Sequence, residues 1–293
     1  MPNPNAHLIT QFSDNIHVRA QQIKARLRDN AIIKPMSGDN FAYDGLGLVE
    51  AREVIGRSVP TQFDDIEHNR RKISRRRFVV TLPVDQSDVR GMLMDPQGHY
   101  ASACVKAMAR QFDRVGVEAA FADVDTGRDF GTSVTFANDG GLTVNATAGL
   151  TYEKLLEIQK NFQNNEVDMD SPEAKCLLLT GTETEALMSE TELTSRDFSS
   201  QMPVDNGRIV SGVGLKLIPY GADVSNPMLA VASTTRDCIA LTGRGLCYGM
   251  SKEFSIKVQD RPDFVETTQV QIIGELGAVR TEGILIQKVQ TTV

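Results

Sequence analysis

The residues best suited to chemistry form a dense run of cations, which we call the basic cluster. Its members are Arg70, Arg71, Lys72, Arg75, Arg76 and Arg77. Arginine pairs through two parallel hydrogen bonds with phosphate or carboxylate groups, so the cluster could bind either kind of anion. Six positive charges within eight positions repel one another, and the nearest acidic residue upstream is Glu67. The segment therefore needs anionic partners.

Three interpretations of the basic cluster stay open at the level of sequence. It can be the solvated face of a strand, a nucleic-acid contact, or a surface that pairs with acidic patches on another copy of the chain. No aromatic residue interleaves with the run to stack on bases. The whole chain is also acidic, with 31 Lys and Arg against 38 Asp and Glu and a net charge of -7. Both observations weigh against nucleic-acid binding.

An acidic counterpart lies later in the chain. Between residues 151 and 200 there are eleven Asp and Glu but only four Lys and Arg. We take four of these acidic residues as candidate partners for the basic cluster of another copy: Glu153, Glu157, Asp168 and Asp170. A basic segment and an acidic region on one chain favour head-to-tail contacts between copies.

Catalytic signatures are absent from the sequence. It contains no phosphate-binding G-x-x-x-x-G-K-[ST], no H-E-x-x-H and no G-x-S-x-G. Of the four histidines, only His99 falls near the predicted body of the protein. A hydrolase would need a pocket that joins His99 to an acid and a nucleophile, whereas a histidine at a helix start is far more common. The sequence predicts no enzyme, no catalytic residue and no cofactor.

Metal ligands are also not predicted. Asp123, Asp125 and Gly127 resemble a calcium loop, but the glycine comes one position early and Val134 stands where the twelfth-position acid belongs. The four cysteines occur without any C-x-x-C pair, which argues against zinc and redox sites. We expect them to be buried, reduced thiols: Cys104, Cys176, Cys238 and Cys247.

Periodicity in the first half of the chain predicts the elements that carry these residues. Apolar residues at helical spacing predict an amphipathic helix over residues 6–29. Extended segments over 48–56 and 75–83 predict a long two-stranded excursion, and a helix of about 25 residues follows, ending near Asp123. Residues 131–138 and 141–149 predict a hairpin.

The second half predicts a small α/β lobe and then strands. A helix begins after Thr151, a buried strand covers 174–180, a short helix starts at Thr182 or Thr184 and runs through Met188, and a strand covers 211–219. Segments 253–260, 267–279 and 282–290 alternate like strands. No apolar stretch approaches the roughly 20 residues of a membrane span, and the N-terminus has no export leader, so we expect a soluble protein.

This order of elements resembles the major capsid protein of tailed bacteriophages, the Hong Kong 97-type fold that is shared with encapsulins. The closest local likeness runs from Arg77 to Gly127, where a strand leads through Asp85 and Asp88 into a long helix with Arg110 and Asp113 near its middle. Further likenesses are YEKLLEIQKNF, KCLLLTG and LGAVRTEGILIQ. Together they span nearly the whole chain.

The resemblance implies an α+β capsid fold with four parts. They are an N-terminal arm (1–42), an extended loop hairpin that overlaps a neighbouring subunit (43–82), a peripheral domain with a long spine helix (83–150 and 250–293), and an α/β axial domain (151–249). It implies a virion protein, assembled in the host cytoplasm, whose pentamers and hexamers enclose DNA without sequence-specific binding. It also implies a separate scaffold protein, a portal and no membrane. The alternatives are another phage head or tail component, or a nucleic-acid-binding protein that uses residues 70–77.

Overall fold

A computed structural model of the chain describes most of its residues. The described residues are 22, 24–53, 56, 60, 63–85, 97–167, 175–190, 204–205, 208–209, 211–221, 228–232, 234–261, 263 and 267–292. Most of the predicted N-terminal helix over 6–29 lies outside them. Its last residues are not α-helical, because Arg28–Asn30 form a single 3-10 turn.

The described residues form three α-helices and 17 β-strands. The α-helices are α1 (Gln97–Phe121), α2 (Tyr152–Asn164) and α3 (Gly181–Ser189). The strands of the first half are β1 (Ile32–Pro35), β2 (Asn40–Leu46), β3 (His68–Ser74), β4 (Arg76–Asp85), β5 (Val124–Thr126), β6 (Thr132–Val134) and β7 (Leu142–Ala146). Those of the second half are β8 (Lys175–Leu179), β9 (Val204–Asp205), β10 (Arg208–Ile209), β11 (Ser211–Gly212), β12 (Leu215–Pro219), β13 (Val231–Ala232), β14 (Thr235–Thr242), β15 (Leu246–Arg261), β16 (Thr267–Arg280) and β17 (Ile286–Thr292).

The larger of two compact units contains residues 26–75, 113–251 and 276–293. Its main sheet is mixed and has the order β11-β12-β8-β14-β17-β7, with β13 paired to β14. All five residues of the central strand β8 are buried, as its KCLLL run predicts. Helix α2 turns Leu155, Ile158 and Phe162 into the core of this unit. The predicted helix after Thr151 and the buried strand over 174–180 are confirmed.

Helix α3 begins at a capping box that carries a buried charge. Thr180 is the N-cap, and its backbone N–H donates to Glu183 Oε2 at 2.8 Å. The same carboxylate accepts from Arg236 at 3.1 Å and from the Thr291 hydroxyl at 2.7 Å. The helix start is therefore tied to β14 and β17, two strands of the main sheet. The predicted short helix is confirmed, although it begins after Thr180 and not at Thr182 or Thr184.

A second sheet of the larger unit, with the order β2-β3-β5-β6, contains the base of the predicted loop hairpin. Strands β2 and β3 pair antiparallel from Asn40 with Ser74 to Leu46 with His68. The predicted strand over 48–56 is wrong, because residues 47–53 form no strand. The predicted arm over 75–83 is a strand, β4, but its sheet is β1-β15-β16-β4 and not that of the hairpin.

The predicted hairpin of residues 131–149 is also wrong. Strand β6 pairs with β5, and β7 pairs in parallel with β17, from Leu142 with Gln287 to Ala146 with Thr291. The alternation of polar and apolar residues correctly predicts that a segment such as β7 is a strand, but it does not predict which strand pairs with it. The long strands predicted after residue 250 are confirmed as β15, β16 and β17.

The smaller unit contains, among the described residues, those before 26 and those within 76–112 and 252–275. Its core joins Cys104, Met108 and Ile272 to the inward side chains of β4 and to Phe254. Gly274 makes this packing possible, because a Cβ there would lie 2.3 Å from the Phe254 ring. Helix α1, β15 and β16 contribute residues to both units. At 25 residues, α1 confirms the predicted long helix.

Candidate intersubunit contact site

Most of the basic cluster is paired with carboxylates of its own chain. Four exposed or half-exposed pairs are Arg70 with Asp44 (2.7 Å), Lys72 with Asp125 (3.7 Å), Arg75 with Asp39 (2.5 Å) and Arg77 with Glu275 (3.6 Å). The guanidinium of Arg76 lies 5.4 Å from the centre of the Phe78 ring. Solvent-exposed pairs add little to stability, but they remove the mutual repulsion of the cations. Nothing in the sequence indicated that the anionic partners lie on the same chain.

Arg71 differs from the rest of the cluster because its side chain is only 3% exposed. Its two terminal nitrogens donate to the two carboxylate oxygens of Asp139, at 2.8 and 2.7 Å. Arg280, which is fully buried, donates from Nε to the same Asp139 at 2.7 Å. Arg280 also donates to the carbonyl oxygens of Ala120 and Ala122, at 3.0 and 2.9 Å. One carboxylate thus joins the loop hairpin, the end of α1 and the end of β16.

The electrostatics of this network favour an ionised Asp139. Burial alone would raise the pKa of the carboxyl, but hydrogen bonds from Arg71 and Arg280 outweigh it and lower the pKa. Two cations share a single carboxylate, and the carbonyl end of α1 supplies further negative potential to Arg280. The guanidinium of Arg280 also lies 5.3 Å from the centre of the Phe136 ring. The base of the hairpin is therefore held by a buried network and not by surface pairs.

A second buried carboxylate, Asp113 in α1, holds the chain where it enters the larger unit. Asp113 is fully buried and accepts the backbone N–H groups of Arg26 and Leu27 at 3.0–3.1 Å. It also accepts the Tyr220 hydroxyl at 3.1 Å. Leu27 is fully buried in the main core. Sequence reasoning placed Asp113 on the long helix but did not predict these contacts, because their donors lie in distant parts of the chain.

The four acidic candidates do not form one described patch. Glu153 and Glu157 lie four residues apart on α2 and so share a helix face. Glu153 is exposed, and the half-buried Glu157 pairs with Lys154 at 2.7 Å. Asp168 and Asp170 lie outside the described residues. Contact of these acidic residues with another copy stays a prediction.

Large apolar side chains are exposed along the loop that extends beyond the hairpin base. They are Leu46 (67% exposed), Leu48 (80%), Val49 (50%), Phe63 (92%) and Ile66 (38%). A backbone hydrogen bond from Gly47 to the Glu67 carbonyl oxygen, 2.7 Å long, closes the hairpin next to them. Apolar surface of this density marks contact sites. We call these five residues the apolar loop; the sequence predicted a strand over 48–56 here and not an exposed apolar surface.

The cysteines and histidines offer little for catalysis. All four cysteines are buried and unbonded to one another, as predicted. Burial raises the pKa of Cys176 and Cys247 to about 11, and of Cys238 to about 12, so these groups are neutral thiols at pH 7. His99 lies in the first turn of α1.

The described residues include neither a metal-ligand cluster nor a helix suited to cross a membrane. Within the described ranges, no three His, Cys, Asp or Glu side chains are grouped so as to hold a metal ion. None of the helices in that part of the chain combines the length and apolarity that crossing a bilayer requires.

Comparison with known proteins gives concordant results. A family model described as phage capsid protein matches residues 5–291. The fold is similar to the capsid of the cyanophage P-SCSP1u (12% identity, TM-score 0.74, covering 98% of this chain and 94% of that one). It is also similar to the head of Helicobacter pylori bacteriophage KHP40 (11%, 0.73, 99% and 97%) and to the capsid of cyanophage Pam1 (11%, 0.71, 99% and 99%). A search of curated proteins found no match. The predicted α+β capsid fold is confirmed.

We predict that Asp139→Asn lowers the free energy of unfolding by about 3–5 kcal/mol at pH 7, because it leaves two buried guanidinium groups with a weaker acceptor. The lowered pKa of Asp139 stabilises the fold above its ordinary value of about 3.9 and does so less as the pH falls through the folded pKa. The difference between wild type and variant, measured by urea unfolding, should therefore shrink below about pH 4. The matched control is Asp44→Asn, which removes the exposed partner of Arg70 and should cost far less. If both variants lost the same free energy of unfolding, the network around Asp139 would be no more important to stability than an exposed ion pair, and the prediction would be refuted.

We also predict that Asp113→Asn opens the chain locally at residues 26 and 27. The amide group keeps one acceptor but turns a donor toward backbone N–H groups, so those hydrogen bonds weaken. Hydrogen exchange at the Arg26 and Leu27 amides should speed up by about tenfold or more, with the β8 amides unchanged. Tyr220→Phe is the control, since it removes one donor and leaves the acceptor. An unchanged exchange rate at both amides would contradict the anchoring role.

Proposed function

The chain belongs to the phage capsid protein family, and from that premise we propose how its parts build a shell. It is a structural protein of the virion that associates with copies of itself into a capsid. We propose that its pentamers and hexamers enclose phage DNA without reading its sequence. We further propose that assembly takes place in the host cytoplasm with a separate scaffold protein and a portal, and that the protein has no enzymatic activity.

One observation carries the proposal, the exposure of the apolar loop. Burying a Leu or Phe side chain contributes about 1.5–3 kcal/mol, and a solitary subunit leaves five such residues wholly or partly in water. A shell in which every copy lays this loop on a neighbour would recover that energy many times over, since each copy makes several contacts. The apolar loop then has its lowest free energy when it is packed against a neighbouring copy in the shell.

The proposed division into parts is the one that the resemblance to capsid proteins implies. We propose that residues 1–42 are an arm, 43–82 the loop that overlaps a neighbour, 83–150 with 250–293 the peripheral domain, and 151–249 the axial domain. A receiving surface for the loop would need exposed apolar side chains of its own. The smaller unit offers four: Val79 (50% exposed), Val105 (43%), Ile256 (48%) and Val258 (50%).

Two features favour a structural role over the alternatives. Five of the six cations of the basic cluster have a carboxylate within 3.7 Å on the same chain, which weakens any affinity for phosphates. The neutral thiols of Cys176, Cys238 and Cys247 are poor nucleophiles, which argues against thiol catalysis.

The experiment replaces two residues of the apolar loop, Leu48→Ser and Phe63→Ser, in one variant. Both side chains are at least 80% exposed in the subunit, so the variant should unfold at the same temperature as the wild type. We expect wild-type protein to sediment as closed particles and the variant to remain as small species at the same concentration. Val231→Ser, at an exposed valine elsewhere, is the control. Particles of equal yield from the loop variant would refute the proposal.

A further inference from the structure

A groove at the hairpin base is lined by three acidic side chains and one arginine. It encloses about 510 Å³ and lies within the larger unit. One wall is a face of the β2–β3 hairpin, where Tyr43 and Gly45 stand opposite Arg71 and Asn69. The other wall is the turn after α2 and the turn at residues 281–284. Asn165 ties these two turns together by donating to the Ile284 carbonyl oxygen at 3.4 Å.

The groove is open to a partner along its floor. A Cβ on Gly45 would meet only the carbonyl oxygen of Asn69, at 3.7 Å, so no other residue that the structure describes fills the space above this glycine. Leu48, 80% exposed, and the half-buried Ile284 add apolar surface to the lining. The groove can therefore hold an aliphatic side chain as well as a charged one.

The groove is lined by more acidic than basic side chains. Its carboxylates are those of Glu67, Glu166 and Glu282, and all three residues are exposed. None of them forms an ion pair with a residue that the structure describes. The one cation in the lining, Arg71, is buried and already pairs with Asp139 through both terminal nitrogens. Three like charges around one groove favour a basic partner.

The chain itself presents a surface that matches. Arg77 is the most exposed cation of the basic cluster for which a pair is measured, at 65%, and its contact to Glu275 is loose at 3.6 Å. Val79, 50% exposed, lies two residues later in β4 and so on the same face of the strand. The alternate residues Phe78, Val80 and Leu82 pack against the core of the smaller unit, so Arg77 and Val79 lie on the outer face of β4. A cation beside an aliphatic side chain is the complement of the groove.

We propose that the groove of one copy binds the outer face of β4, with Arg77 and Val79, from a second copy. The two surfaces differ, so the contact is head-to-tail, and repetition around an axis closes a ring. This inference rests on the proposed function and adds a specific pair of surfaces to it. The sequence led us to expect that the whole basic cluster contacts the acidic region of another copy. The groove narrows this expectation to one cation, Arg77, and three carboxylates.

A charge swap tests the contact. One variant reverses the groove (Glu166→Lys with Glu282→Lys), a second reverses the strand (Arg77→Glu), and a third combines all three changes. We expect each of the first two to lower the yield of particles by about tenfold or more, and the combination to restore it to within about threefold of wild type. Glu185→Lys, the same substitution at a single exposed site on α3, is the control and should assemble normally. Thermal unfolding of each variant verifies that the subunit folds.

The outcomes separate this contact from the proposed function. If wild-type protein forms particles and groove reversal leaves their yield unchanged, the contact is refuted and the capsid role stands. If the combined variant assembles no better than the two reversals, the groove binds another occupant, and the contact with Arg77 is refuted. If wild-type protein forms no particles, the proposed function fails and the contact fails with it.

Discussion

The arrangement of the larger unit depends on one buried carboxylate. Asp139 accepts hydrogen bonds from Arg71 on the hairpin and from Arg280 at the end of β16, and Arg280 in turn caps the carbonyl end of α1. The hairpin, the end of α1 and the end of β16 are far apart in the sequence, so contacts between sequence neighbours cannot hold them together. Because buried charges are costly unless they are paired, the two arginines favour the geometry in which both reach Asp139.

Because of this network, the residues of the basic cluster have different structural roles. Its cations look like one functional patch in the sequence, yet the structure divides them between a buried anchor, several surface pairs and the exposed Arg77. Under the proposed function, contact with another copy then depends on the apolar loop and on the few charges of the cluster that stay exposed, such as Arg77. An acidic chain with a dense basic segment is thus compatible with self-association.

Much of the fold was predictable from periodicity, and the failures have a common cause. Helices α1 and α2 follow from apolar residues at helical spacing, and β8 from a continuous apolar run. The 131–149 hairpin failed because the partner of β7 is β17, more than 140 residues later, and strand pairing at that distance leaves no local signal. The site was less predictable. Alternation along β3 places Arg71 on the opposite face from Arg70 and Lys72, which was a usable sign of burial, but nothing marked Asp139 as its partner.

The most direct measurement is an electron cryomicroscopy reconstruction of the particles that purified protein forms. The account predicts a closed icosahedral shell in which Leu48 and Phe63 are buried against a neighbouring copy while Arg71 keeps Asp139 within the same chain. A shell that leaves the apolar loop in solvent would contradict it, as would one in which Arg71 pairs with a carboxylate of another subunit.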